Sequence, residues 1–328
     1  METKNILEIS HLNREFRIGG MILGNKIMAV DDVSLKMPSD ESWIMSIVGE
    51  SGSGKTTLAK MILGLLDISG GNIILDGKSI NYHMKHKKEF YRIVQPIFQN
   101  PFTNFSMKRT VDCYLYETAL NMDMAKNKDD AKEVITDTLK KVGLSYDQVK
   151  NKYPNQFSGG ELQRISIARA LITKPKIIVA DEPVAMIDAS LRMNIVNIFK
   201  NLKEEYGVSF IYITHDLSTA YYVSDYIATM YKGSMIEFGK AREVLENPGH
   251  PYTELLLESI PKVGAKWSGK DRPHMEDAEN KIMNGVGCKF AKRCPYAKDV
   301  CFQKSLSMVK LNESHKTLCI KQNNYKVD

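Results

Sequence analysis

The run Gly49-Glu50-Ser51-Gly52-Ser53-Gly54-Lys55-Thr56 constrains this chain more than any other feature, because it fits G-x-x-x-x-G-K-[ST] and follows directly on the apolar, strand-like run WIMSIV at 43–48. Glycines let the backbone curl so that several N–H groups converge on phosphate oxygens, and a helix beginning near Lys55 would aim its positive dipole end at the same anion. Lys55 would reach the β and γ phosphates and Thr56 would ligate Mg²⁺, with Glu50, Ser51, Ser53 and Thr57 in the same nucleotide cradle. The competing reading is a chance Gly/Ser turn. The strand before the loop, and the apolar spacing Leu58, Met61, Ile62 and Leu65 after it, supply the strand, loop and helix setting that phosphate binding needs.

Such a loop serves many ATPases and GTPases, so the companion residues decide the chemistry. KIIVA at 176–180 is an apolar strand that ends in Asp181 and Glu182. Asp181 would hold the Mg²⁺ shell, and Glu182 would polarise a water attacking the γ-phosphate in line. Paired acids at a strand end are also common on surfaces; the apolar strand behind this pair and the loop upstream of it favour catalysis.

The remaining sequence bounds the architecture. With 328 residues, 43% hydrophobic and 26% charged, the chain has globular proportions, which excludes disorder and fibrous folds. No apolar run approaches the roughly 18 residues of a membrane helix, and the start METKNILEIS lacks the basic and apolar regions of a signal peptide, so a cytoplasmic protein is expected. Strands are expected at 6–10, 33–37, 43–48, 72–75, 176–180, 208–213 and 226–231. Helical spacing follows Asp129 and Asp130 through Val134 and Val142, and again links Leu162, Ile165, Ala168 and Ile172 before Pro175. Alternation of this kind predicts an α/β fold with a buried parallel sheet.

Near residue 261 the character changes, which divides the chain into 1–260 and 261–328. From Lys262 onward 14 Lys and Arg face 7 Asp and Glu, a net +7, whereas the preceding residues carry 31 against 32. Residues 261–286 contain Pro261, Gly264, Gly269, Pro273 and Gly285 without sustained periodicity and read as a linker. Cys288, Cys294, Cys301 and Cys319 all fall beyond it, spaced C-x5-C-x6-C-x17-C.

Between the loop and the acidic strand stands Phe157-Ser158-Gly159-Gly160-Glu161-Leu162-Gln163-Arg164, leading into a helix. It resembles the signature sequence of the ATP-binding cassette ATPases, in that family's order. The resemblance implies a P-loop NTPase fold with a helical subdomain at about 100–175, ATP with Mg²⁺ as the bound species, and a dimer. In that family ATP is sandwiched between one subunit's phosphate loop and the other's signature, here Ser158, Gly159, Gly160 and Glu161. It further implies that Gln99 is the Q-loop glutamine contacting Mg²⁺ and the attacking water, that Asp188 is the D-loop aspartate, that His215 is the switch histidine at the γ-phosphate, and that Phe16 stacks on adenine. Three departures stand out: Glu161 replaces the usual Gln, Phe16 the commoner Tyr, and 18–29 is long for the loop it forms.

The tail narrows the resemblance. Asn247-Pro248-Gly249-His250-Pro251-Tyr252-Thr253-Glu254, then Gly287-Cys288-Lys289-Phe290-Ala291-Lys292-Arg293-Cys294-Pro295-Tyr296, resemble the end of the oligopeptide and dipeptide importer ATPases. In a reducing compartment the four cysteines are not expected to form disulfides. Thiolate ligation suits a [4Fe-4S] cluster or Zn²⁺, and the absence of C-x2-C tells against a zinc ribbon. Four separately buried thiols are the alternative. Lys289, Lys292, Arg293 and Lys298 would offset a cluster's charge or form a solvated face.

The resemblance implies an importer ATPase on the cytoplasmic face of the membrane. Its partners would be two transmembrane permeases, a second cassette ATPase (a paralogue, giving a heterodimer) and, indirectly, an extracellular solute-binding protein. The other class is a soluble cassette ATPase acting on nucleic acid or ribosomes. The long coiled coil, second cassette or zinc-bearing insertion of that class is missing, and the tail lacks the aromatic and basic alternation suited to nucleic acid.

Overall fold

The computed structural model describes residues 4–18, 25–259, 287–303 and 306–322. The linker read at 261–286 and the middle of the 18–29 loop lie outside the described residues.

Apolar runs flanked by turn residues become strands, and the structure sorts them into two sheets. β1 (Asn5–Ile18), β2 (Asn25–Pro38), β4 (Gly70–Leu75) and β5 (Lys78–Ser79) form an antiparallel sheet in the order β2-β1-β4-β5. β3 (Ile44–Val48), β6 (Val94–Ile97), β7 (Ile177–Asp181), β8 (Ser209–Ile213), β9 (Tyr226–Tyr231), β10 (Ser234–Lys240), β11 (Val309–Lys310) and β12 (Lys316–Thr317) form the second, ordered β11-β12-β10-β9-β3-β8-β7-β6. From β9 to β6 this sheet is parallel, with β3, β7 and β8 almost wholly buried. The expected parallel sheet is therefore present, but the strands read at 6–10, 33–37 and 72–75 belong to the antiparallel one. Their polar alternation, as in Glu8, Ser10 and Lys36, suits a sheet with one wet face. β6 escaped the sequence reading because it is short and carries Pro96, which an edge strand tolerates.

Helices fill the connections. α1 (Lys55–Ile62) follows β3; α2 (Ile80–Lys85) and α3 (Lys87–Ile93) precede β6. Then α4 (Val111–Asn121), α5 (Lys128–Lys141), α6 (Tyr146–Val149) and α7 (Gly159–Leu171) form the helical subdomain between β6 and β7. α5 is started by Asn127, whose side chain accepts the N–H groups of Asp129 and Asp130. α8 (Ala189–Tyr206), α9 (Leu217–Val223), α10 (Ala241–Glu246) and α11 (Pro251–Glu258) complete the described helices before the tail. On α1, Leu58, Met61 and Ile62 are buried as the spacing predicts, whereas Leu65 lies beyond the helix and is half exposed. One apolar core joins the helical subdomain to one side of the parallel sheet, including Val111, Ile135, Leu162 and Phe199. A second joins the sheet to the antiparallel layer through Leu7, Met37, Leu58 and Ile211.

The tail is stitched to the sheet: β12 pairs antiparallel with β10, Glu237 opposite Thr317 and Phe238 opposite Lys316. Beneath that seam Glu237 is completely buried. Its carboxylate accepts from the backbone N–H of Gly249 (2.5 Å) and His250 (3.1 Å), from Thr253 Oγ1 (2.6 Å) and from His315 Nε2 (2.6 Å). A buried carboxylate requires this saturation, since each unpaired lone pair would carry its full desolvation cost.

Candidate active site

Four neighbouring parallel strands end at one edge, and each carboxyl end delivers one piece of the site. The 49–56 loop follows β3, His215 follows β8, Asp181 and Glu182 close β7, and Gln99 follows β6. Open α/β sheets bind ligands at this edge. Residues more than a hundred positions apart meet because the strands bearing them are adjacent.

The loop has the conformation its glycines allow. Gly49 has φ +150° and a Cβ there would meet the Met230 carbonyl at 2.2 Å; Gly54 has φ +101° and would meet Ala29 O at 2.3 Å. Gly54 caps α1 without a side-chain hydrogen bond, so no side chain occupies the helix's first N–H groups. Lys55 lies inside the curl, its Nζ donating to the carbonyls of Gly49 and Glu50 (2.8 Å each) and to Ser53 Oγ (3.3 Å). Burial lowers its pKa, opposed by the charges of Glu182, Asp181 and Glu50.

Thr56 Oγ1 donates to Asp181 Oδ1 at 3.2 Å, which sets a hydroxyl and a carboxylate side by side. Burial raises the Asp181 pKa, with Glu182 adding to the rise, while the Thr56 hydrogen bond and Lys55 oppose it. Glu182 is the hub: Oε2 accepts from Gln99 Nε2 at 3.3 Å and Oε1 lies 3.2 Å from His215 Nδ1. Its backbone has φ +48°, an uncommon conformation for a non-glycine residue, held by its N–H donating to Ile213 O on β8. The cradle, the lysine and the hard oxygen donors fit a nucleotide phosphate with Mg²⁺. When bound, the cation neutralises phosphate charge.

The signature lies apart from this cluster. Ser158 caps α7 in a capping box: its Oγ accepts the Glu161 N–H (3.2 Å), while Glu161 Oε2 accepts from Ser158 N–H and Oγ (2.9 Å each). Glu161 thus closes back on its own helix, and its pKa is lowered by the Ser158 backbone N–H. Gly159 and Gly160 abut the Met186 carbonyl and Ile187, next to Asp188 at the start of α8. Around them Met186, Leu191 and Met193 stand exposed. Phe16 sits on β1 with the Arg14 guanidinium 4.6 Å over its ring. A groove of about 420 Å³ opens elsewhere, between Gln95 and Phe98 on one side and Glu117, Thr118 and Arg169 of α4 and α7 on the other.

The tail departs from expectation in two respects. Cys288, Cys294 and Cys301 gather in one apolar cluster with Tyr231, Tyr252 and Phe290, yet among the described residues no three His, Cys, Asp or Glu side chains are placed to hold a metal ion. Burial first, and then the charge of neighbouring sulfurs, raises the pKa of Cys288, Cys294 and Cys319, so the sulfurs lie near one another, but each of these three also has its own neighbours. Burial pushes His250 down to about 4, so its ring is neutral; Nδ1 accepts from Tyr252 N–H (3.0 Å), which leaves the proton on Nε2, 3.7 Å from Cys288 Sγ. Burial also pushes the Cys288 thiol up to about 11, and Cys319 Sγ accepts from Lys321 N–H (3.4 Å). As placed, the thiols do not form the expected [4Fe-4S] or Zn²⁺ cage.

Of the basic residues there, Lys321 acts on Cys294 and Cys319 by charge, whereas Arg293 and Lys289 are paired elsewhere. Arg293 makes a two-pronged pair with Glu50 of the phosphate loop, both contacts 2.9 Å, and Lys289 pairs with Asp31 at 2.7 Å. Lys292 and Lys298 are exposed. Tyr252, whose hydroxyl accepts the Glu50 N–H at 2.7 Å, joins Arg293 as a loop contact that the sequence reading missed. They lie 202 and 243 positions from Glu50, and no local pattern marks them.

This fold and this convergence define a nucleotide-binding cassette. The family described as ABC transporter matches residues 30–185, and the oligopeptide/dipeptide transporter C-terminal region matches 236–301. The chain is 38% identical to the oligopeptide transport ATP-binding protein AmiF of Streptococcus pneumoniae over 79% of its length and 82% of that protein's. It is 36% identical to the oligopeptide transport ATP-binding protein OppF of Haemophilus influenzae over 96% of its length and 97% of the relative's. Among solved structures, it is similar to cbiO1 from Clostridium perfringens, part of the ABC transporter complex cbiONQ (TM-score 0.64, 26% identity, 74% of this chain and 92% of that one). It is also similar to the dimeric ATP-binding cassette MJ0796 bound to ADP and Pi (0.62, 27%, 72% and 99%). The chain belongs to the ABC transporter family, among its oligopeptide transport ATP-binding proteins.

Proposed function

We propose that this chain is the ATP-hydrolysing subunit of an ABC importer that powers uptake of oligopeptides or dipeptides. The observation that carries the reading is the convergence of Lys55, Thr56, Asp181, Glu182, Gln99 and His215 at one sheet edge, in a chain whose relatives of nearly equal length are oligopeptide transport ATP-binding proteins. Lys55 and the loop N–H groups would bind the β and γ phosphates. Thr56 and Asp181 would hold Mg²⁺, and Gln99 would stand beside it. Glu182 would take the proton of the attacking water, with His215 at the γ-phosphate. Nothing favours a nucleic-acid or ribosome role.

The exposed surfaces support a set of partners. Ser158, Gly159, Gly160 and Glu161, with Asp188 and the exposed Met186, Leu191 and Met193, would close on the nucleotide of a second cassette, a paralogue in a heterodimer. The Glu161 capping box supports a structural task for that carboxylate, and Phe16 would stack on adenine from β1. The groove by Gln95 and Arg169 would receive a helix from one of two permeases, with the chain then lying on the cytoplasmic face of the membrane. No helix among the described residues is long and apolar enough to cross a membrane. The tail from 261 onward would be a second, smaller unit on the cassette of 1–260.

Affinity purification from native membranes under low oxygen tests this. Two multispanning permeases and a second cassette are expected to come along, with a solute-binding protein that retains peptides; ribosomes, DNA or no membrane protein would overturn the reading. The same material decides the cysteine centre. Near four iron atoms per chain is what a [4Fe-4S] cluster at Cys288, Cys294, Cys301 and Cys319 requires, and colourless, metal-free protein would end that reading.

A further inference from the structure

All three groups of Glu50 are taken. Its carbonyl receives Lys55 Nζ at 2.8 Å, its N–H donates to Tyr252 Oη at 2.7 Å, and its carboxylate accepts both prongs of Arg293 at 2.9 Å. The peptide that holds the phosphate-binding lysine on its inner side is therefore held on its outer side by the tail. Arg293 is itself fixed: its guanidinium lies 5.6 Å over the Phe290 ring and 5.8 Å over that of Tyr231, whose hydroxyl accepts from Nη1 at 3.4 Å. The backbone turn carrying it runs through Ala291 N–H to Cys288 O, Arg293 N–H to Phe290 O and Cys294 N–H to Ala291 O.

A second tail cation works on the same loop from the other flank. Lys289 Nζ donates to the carbonyl of Lys232 (2.7 Å) and pairs with Asp31 (2.7 Å), and the next residue, Gly233, donates its N–H to Ser53 O (2.9 Å). Arg293 and Lys289 come from one turn and bracket the loop at Glu50 and Ser53. A surface ion pair alone contributes little. This one matters by its geometry, because a bidentate arginine fixes direction as well as distance.

We propose that Arg293 is a positioning residue for the phosphate loop: through Glu50 it holds the peptide that seats Lys55, so that the cysteine-rich tail sets the affinity of the cassette for ATP. The proposal rests on the reading of the loop as a nucleotide site. Arg293 touches no reacting atom, and its effect is expected in binding, with the chemical step left to Glu182.

The test is a double-mutant cycle in the full chain, assembled with its partners, read by MgATP titration and steady-state ATPase. Arg293→Ala is expected to weaken ATP binding and raise KM about threefold to fivefold, with kcat at saturating ATP little changed. Glu50→Ala, which removes the same contact within the loop itself, should weaken binding at least as much, and the double variant no more than Glu50→Ala alone, because both remove one contact. Arg293→Lys, which keeps the charge but loses the fork, should fall between; it is the variant to read if Arg293→Ala does not fold. Unchanged affinity in Arg293→Ala, or additive losses in the double variant, would overturn the proposal. Lys55→Ala separates the two failures: if it weakens binding about tenfold or more while Arg293→Ala changes nothing, only this inference falls, and if Lys55→Ala binds ATP normally, the nucleotide site falls with it.

Discussion

Glu182→Gln is expected to bind ATP with near-native affinity and to hydrolyse it about 10²- to 10⁴-fold more slowly, the range a positioned general base supplies. The substitution keeps the shape of the side chain and its ability to meet Gln99 and His215, 3.3 and 3.2 Å away, while removing the basic oxygen. Its backbone at φ +48° accepts Gln no worse than Glu, so the fold should be untouched. Filter binding of ATP beside phosphate release from the assembled complex is the measurement. Normal turnover would remove Glu182 from catalysis and leave His215 and Gln99 without the group that joins them.

Lys55→Ala acts earlier in the cycle. Loss of the ammonium is expected to weaken ATP binding roughly 10- to 150-fold, the equivalent of a lost hydrogen bond to a charged group. A fluorescent-nucleotide titration reads it directly. The variant also strips a donor from the carbonyls of Gly49 and Glu50, so a thermal melt in parallel separates a misshapen loop from a missing charge. Retained affinity with an unchanged melt would mean that the loop cradles something other than phosphate.

How much of this was legible beforehand depends on distance along the chain. The phosphate loop, the acidic end of β7 and the signature could be read because each packs its chemistry into a few consecutive residues whose flanking periodicity reveals strand or helix. Gln99 and His215 could be placed only by resemblance, since a lone Gln or His carries no local signal; the sheet order explains why they arrive at the same edge. What could not be read was decided by side chains that meet only after folding. Arg293 looks like any surface cation in sequence, and only the packing of its turn against Tyr231 and Phe290 turns it toward Glu50. Cysteine spacing alone could not say whether four sulfurs share a centre, because that depends on ångström-scale placement. The two-sheet division was likewise hidden, since strand propensity does not state which neighbour a strand will choose.

The buried Glu237 makes the tail part of the cassette's own interior. Its carboxylate is satisfied partly by the 249–253 turn and partly by His315, 78 positions further along the chain. Without β12 and His315, β10 would hold an unpaired edge and Glu237 a carboxylate short of one partner, at a cost of about 3–5 kcal/mol, what breaking a buried pair carries, so cassette and tail are expected to melt as one unit.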